Sequence, residues 1–181
     1  MPAAPHRRRG LALLAGLAAL GLGGCATPPG GAARWTSGRL ALRVDASPGR
    51  SAQSLSAGFE LRGDDREGEL RLLSPLGTLL AAARWAPGLA LLDAGDGERR
   101  FASLDALSRE ALGEPLPLAA LPDWLAGRPW RGAGHTATAD GFEQLGWVVT
   151  LGALAEGLLQ ARRAAAPAVT LRVRLDNAAA P

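Results

Sequence analysis

The chain contains no lysine and no tyrosine, and its single cysteine is Cys25. One cysteine excludes an intramolecular disulfide, so packing alone must hold the fold. Histidine occurs only at His6 and His135, which leaves almost nothing for a metal centre or for histidine-based catalysis. Without lysine there is no glycine-rich phosphate loop of the lysine type, so no nucleotide and no other cofactor is expected. Aromatic residues make up 4% of the chain, and leucine and alanine must therefore do most of the packing. Acidic residues are absent before Cys25, where Arg7, Arg8 and Arg9 account for the whole net charge of +3. The remaining basic residues equal the 17 acidic ones, so the high isoelectric point is no sign of a nucleic-acid partner.

What is present begins with those three arginines and the apolar run Leu11 to Leu22 behind them, closed by Gly23, Gly24 and Cys25. A basic head, a short apolar middle and small residues at the end make an export signal. The run falls well short of the roughly 20 residues a spanning helix needs. Small residues directly before the cysteine resemble the lipobox of bacterial lipoproteins, which implies cleavage before Cys25 and acylation of its thiol. The expected organisation is a leader over residues 1–24, a lipidated Pro/Gly-rich tether over 25–34, one domain over 35–177 and a tail over 178–181.

Beyond Trp35 the chain alternates. Leu40, Leu42 and Val44 oppose Arg39, Arg43 and Asp45, and Leu55, Ala57, Phe59 and Leu61 oppose serines and charges. Glu69 to Leu72, Leu79 to Trp85, Leu89 to Leu92 and Glu98 to Ala102 continue as strands between turn signals. Ser74-Pro75-Leu76-Gly77 interrupts the pattern with a turn that lifts one leucine off the sheet. Ser103 caps a helix that presents Leu104, Leu107, Ala111 and Leu112 on one face and ends at Gly113. A second short helix, starting at Leu118 or Pro122, runs to Ala126. Strands return at Phe142 to Gln144, at Gly146 to Leu151 and at Val169 to Leu175. The stretch Gly157 to Arg163 suits a helix or a strand. The whole is a curved antiparallel sheet with one helical insertion. Its leucines suit an ordinary filled core, and they equally suit a greasy cavity under the helices.

Several blocks taken in order look like the LolB family of outer-membrane lipoproteins. They are Gly38-Arg39-Leu40-Ala41-Leu42, Leu70-Arg71-Leu72-Leu73-Ser74-Pro75-Leu76-Gly77, Leu112-Gly113 through Leu116-Pro117 to Trp124-Leu125-Ala126-Gly127-Arg128-Pro129, Gly146-Trp147-Val148-Val149 and the final strand. The chain departs from the family in having Asn177-Ala178 where an aromatic usually follows the last strand, and Thr150-Leu151 where tyrosine is usual.

The resemblance implies a mainly β (α+β) fold, an incomplete antiparallel β-barrel with a helical lid over an apolar cavity. It implies a monomeric receptor, lipid-anchored at the periplasmic face of the outer membrane of a Gram-negative bacterium. Such a receptor takes lipoproteins from a LolA-like periplasmic carrier, shelters their acyl chains and places them among outer-membrane phospholipid, without catalytic residues, metal or nucleic acid. The implied acyl-cavity lining is Leu40, Leu42, Phe59, Leu61, Leu70, Leu72, Trp124, Leu125, Trp147 and Val149. Pro75, Leu76 and Gly77 map onto the family's membrane-facing loop.

Blander readings stand beside these. Leu76 suits a buried turn, Trp124 and Leu125 a packed helix face, Trp147 the core, and His135 an exposed loop. Arg84, Arg128 and Arg131 suit solvated charges or contacts with an acidic carrier. A structural or interaction lipoprotein with a filled core and no lipid cargo is the competing function. A hydrolase built on Ser74, His135 and Asp140 lacks the glycine-flanked serine elbow such enzymes need.

Overall fold

The computed structural model describes residues 34–176. The expected leader, Cys25 with the tether up to residue 33, and the tail over 178–181 lie outside the described residues. The chain opens with six strands in succession: β1 (Thr36–Val44), β2 (Gln53–Gly63), β3 (Gly68–Leu73), β4 (Leu79–Ala86), β5 (Leu89–Asp93) and β6 (Glu98–Phe101). Two helices follow, α1 (Leu104–Leu112) and α2 (Leu121–Leu125). The chain then returns as β7 (His135–Thr138), β8 (Gly141–Gln144), β9 (Trp147–Thr150), β10 (Leu158–Arg163) and β11 (Val169–Leu175).

All eleven strands form one antiparallel sheet in the order β6-β5-β4-β3-β2-β1-β11-β10-β9-β8-β7. The first and last strands pair in the middle, from Gly38 opposite Leu175 to Val44 opposite Val169. Edge strands β6 and β7 do not pair with each other, so the barrel is incomplete, and the helical insertion connects the two edges.

Alternation decides which face is dry. Leu40, Leu42, Val44, Phe59, Leu61, Leu70, Val169, Leu171 and Val173 are buried in one cluster, while Arg39, Arg43, Arg172 and Arg174 between them are exposed. The helices contribute Leu107, Leu121, Trp124 and Leu125 to the same core. Each fully buried large side chain contributes about 1.5–3 kcal/mol, which is how a domain poor in aromatics is held. Helix α1 starts where expected, because Ser103 Oγ accepts from the Ala106 amide at 3.1 Å. It stops at Gly113, whose left-handed φ of 76° closes the last turn onto the Arg109 carbonyl.

Two stretches differ from, or resolve, the sequence reading. His135 begins a strand rather than lying in a loop, although it is exposed as expected. All four residues of β7 are exposed, so this edge strand has no dry face to create an alternating pattern. Leu158–Arg163, open between helix and strand, is a strand because it pairs on both sides, with β9 and β11. Sheet pairing here overrides the helix preference of its leucines and alanines.

Candidate functional site

Between the inner face of the sheet and the helical insertion lies an apolar cavity of about 110 Å³. Sheet residues Leu40, Leu42, Leu70 and Leu72 line one side, and Trp124 of α2 and Trp147 of β9 complete the expected residues that border it. Phe59, Leu61, Leu125 and Val149 are buried in the core around it. The lining also includes Leu55, Ala81, Ala83, Leu92 and Leu171 from the sheet and Leu107, Leu112, Leu116 and Leu118 from the insertion. Sequence reading missed these; the strand members among them could have been found by extending the inward parity of Leu70 and Leu42 to neighbouring strands.

The cavity offers a ligand almost nothing polar. Its one hydroxyl, on Ser108, already donates to the Asp105 carbonyl at 3.2 Å and accepts from the Leu116 amide at 2.9 Å. Trp124, which is fully buried, directs its Nε1–H away to Oε1 of Gln144 at 2.9 Å. With almost no polar surface exposed to fix an orientation, the space suits hydrocarbon. A wider, open depression of about 710 Å³ lies outside it, where Asp65, Arg66, Asp105 and Arg163 mix with Trp85, Trp130 and Trp147. Its charged lining makes it the poorer place for a methylene chain.

The insertion is held down at two places. Gln144, the residue sequence reading passed over, is buried and satisfied on both sides. Its Oε1 accepts from Trp124 Nε1 and the Trp130 amide, and its Nε2 donates to the Trp130 and Ala133 carbonyls. Trp124 also packs edge-on against Phe142 at 6.3 Å between ring centres. On the other side Glu114, just past α1, bridges Arg163 of β10 at 2.7 Å and Arg50 of the β1–β2 turn at 3.3 Å.

The β3–β4 turn stands clear of all this. Ser74 Oγ accepts from the amides of Leu76 and Thr78 at 3.2 and 3.1 Å, and the Ser74 amide donates to the Thr78 carbonyl at 2.8 Å. Gly77 takes a left-handed φ of 82°, which only glycine adopts without strain. The turn is thus rigid from within, and it holds Leu76 at 94% exposure. At its base the register slips, Leu72 facing Ala81 while Leu73 faces Leu79, so that Leu80 is the extra residue of a β-bulge. Leu79 and Leu80 are 53% and 45% exposed.

Other candidates do not assemble. Ser74 is committed to its turn, and β3 is separated from β8, beside Asp140, by β2, β1, β11, β10 and β9 in the sheet order. Arg84 faces Glu98 at 3.7 Å and Arg128 faces Asp123 at 2.7 Å. Among the described residues no group of three or more His, Cys, Asp or Glu side chains could hold a metal ion.

Comparison with known proteins agrees with this geometry. The family profile described as "Outer membrane lipoprotein LolB" matches residues 34–176. A protein of Bordetella pertussis named "Outer-membrane lipoprotein LolB" is 39% identical over 61% of this chain and 59% of its own length. The chain therefore spans less than two-thirds of that relative. A namesake from Cupriavidus pinatubonensis is 37% identical over 75% of this chain and 69% of its own length. Another, from Cupriavidus metallidurans, is 32% identical over 95% of this chain and 89% of its own length. The half-closed sheet, the helices across its open side, the leucine at the tip of its turn and these matches together place the chain in the LolB family of outer-membrane lipoproteins.

Proposed function

We propose that this protein receives lipoproteins from a LolA-like periplasmic carrier, shelters their acyl chains in the apolar cavity and passes them to the inner leaflet of the outer membrane. The observation that carries the reading is the cavity itself: leucine-walled, partly covered by the helical insertion, with its only hydroxyl already hydrogen-bonded at both donor and acceptor. Burying a methylene contributes about 0.8 kcal/mol, so a lipoprotein's acyl chains cannot cross water unsheltered. The void is smaller than the ~300–1,000 Å³ of pockets that enclose drug-sized ligands. Loading therefore widens it, and the element able to give is the helical insertion, since the sheet is bonded strand to strand.

Transfer runs downhill by relative affinity, from carrier to receptor to bilayer, and needs no nucleotide. Acylated Cys25 holds the receptor at its destination, and Leu76 dips into the headgroup region as cargo leaves. The protein acts without a catalytic residue. Titration of the chain with a fluorescent long-chain acyl probe tests the reading. Saturable binding with a blue-shifted emission is expected, and a chain that binds no amphiphile would instead be a structural lipoprotein with a filled core.

A further inference from the structure

Strand pairing gathers five arginines on the outer face of the sheet, where β1, β11 and β10 adjoin. Arg43 and Arg162 flank Thr170 in one row, and Arg172 lies between Ala41 and Gln160 in the next. In the third row Arg39 stands directly opposite Arg174. Strands lie about 4.8 Å apart and successive rows about 7 Å, so the cluster spans roughly 10 by 14 Å. All five arginines are exposed. Among the described residues only Arg43 of the five is ion-paired, to Asp45 at 2.9 Å. Asp176, two residues past Arg174, forms no ion pair either. Like charges directly opposite one another destabilise a sheet, so stability of the fold does not account for Arg39 beside Arg174.

Hydroxyls complete this surface. Ala41, being small, leaves a hollow of about 240 Å³ bordered by Arg43, Arg172, Ser54, Ser56 and Thr170, donors suited to the oxygens of a phosphate. The row of Arg39 runs on through Gly58 to Leu73 and Leu79 on the same outer face. The Ser74–Thr78 turn with exposed Leu76 follows. At its other end the row closes on exposed Leu158. Basic and acidic residues after the leader are equal in number, so this concentration of arginine leaves acid in excess elsewhere. The domain therefore orients in the field of an anionic surface.

We propose that this face docks on anionic phospholipid, its arginines and hydroxyls taking the headgroup phosphates. The occupant is a lipid surface because the arginines share their row with outward-facing leucines. An interface takes cations at the level of the phosphates and apolar side chains beneath them, whereas an acidic protein would leave the leucines without a role. The contact adds to the one proposed for Leu76 and does not depend on the cavity holding acyl chains.

The test attaches a polarity-sensitive dye at position 56 of the full chain carrying Cys25→Ser/Ser56→Cys. A second dyed chain adds Arg39→Gln/Arg172→Gln/Arg174→Gln. Each is titrated with vesicles of phosphatidylglycerol and phosphatidylcholine, and with vesicles of phosphatidylcholine alone. A blue shift on the anionic vesicles is expected. The three substitutions should raise the lipid needed for half of it by about a hundredfold, roughly fivefold per arginine. Both chains keep the leader, so its arginines do not produce the difference. The substituted chain should melt no lower than the other, being relieved of the Arg39–Arg174 repulsion. A lower melting temperature assigns the arginines to the fold and overturns the proposal. An equal shift in both chains, or on neutral vesicles, overturns it as well. A shift produced by inorganic phosphate or polyglutamate without vesicles puts a soluble anion or an acidic protein on this face and overturns the lipid. Failure of the unaltered chain to bind an acyl probe strikes the cavity reading alone, and a shift on anionic vesicles still supports this one.

Discussion

The indole Nε1–H of Trp124 donates to Oε1 of Gln144 at 2.9 Å, joining the short helix of the insertion to the end of a strand twenty residues on. The same amide holds the backbone of Trp130 through both its donor and its acceptor. Replacing Gln144 with alanine strands the Trp124 donor, the Trp130 amide and two carbonyls in a dry place. A loss of about 2–4 kcal/mol is expected, since each buried orphan costs about 1–3 kcal/mol. Urea unfolding measures it, and a change below about 1 kcal/mol would show that water fills the vacated site.

Glu114 has a comparable task at the other end of the insertion, where it neutralises the partly buried Arg163. Arg163 already has one buried Nε without a partner, so it tolerates no further loss. Glu114→Ala should cost about 3 kcal/mol and speed amide exchange through residues 104–118. Unchanged protection in that stretch would mean that the ion pair does not hold the helices.

Glu69 supplies a pH dependence. Burial acts to raise its carboxyl pKa, but hydrogen bonds from Arg71 and Arg62 outweigh burial and hold it below the ordinary 4.5. A lowered folded-state value means stability that is fully present above 4.5 and fades as pH falls through the folded value. Glu69→Gln should cost about 1 kcal/mol at neutral pH and flatten the acid limb of the stability curve. Parallel acid limbs for the two proteins would rule Glu69 out as its source.

Leu76→Glu tests the tip. At 94% exposure the side chain contributes no core packing, so the melting temperature and acyl-probe binding should not move. Delivery of bound probe to vesicles should fall by about tenfold, and delivery at the normal rate would remove Leu76 from the mechanism.

Filling the void tests the cavity. Ala83 is buried and borders it, and Ala83→Phe should abolish probe binding at a stability cost of about 1–3 kcal/mol. A folded variant that still binds with full affinity would place the acyl site elsewhere.

These sites were unequally legible in the sequence. Val169–Leu175 announced itself because Val169, Leu171 and Val173 are buried while Arg172 and Arg174 between and beyond them face water. The same logic could have flagged Gln144, which shares the inner parity of Phe142 in β8: a polar residue on a dry face must find partners. His135–Thr138 left no trace, because a strand wet on both faces has no period. The bulge at Leu80 was equally silent, since register is decided by pairing between strands and not by the order of residues within one. Leu116 and Leu118 border the cavity from an irregular linker, where no periodicity exists to read.

The pairing of β1 with β11 governs when the molecule can fold. The middle of the sheet is zipped from the two extremes of the domain, so a nascent chain lacking its final strand cannot complete the core. Such distant pairing is slow to form. The two halves of the sheet therefore stay apart until the final strand is available to join them, and closure of the core is the last event of assembly rather than the first.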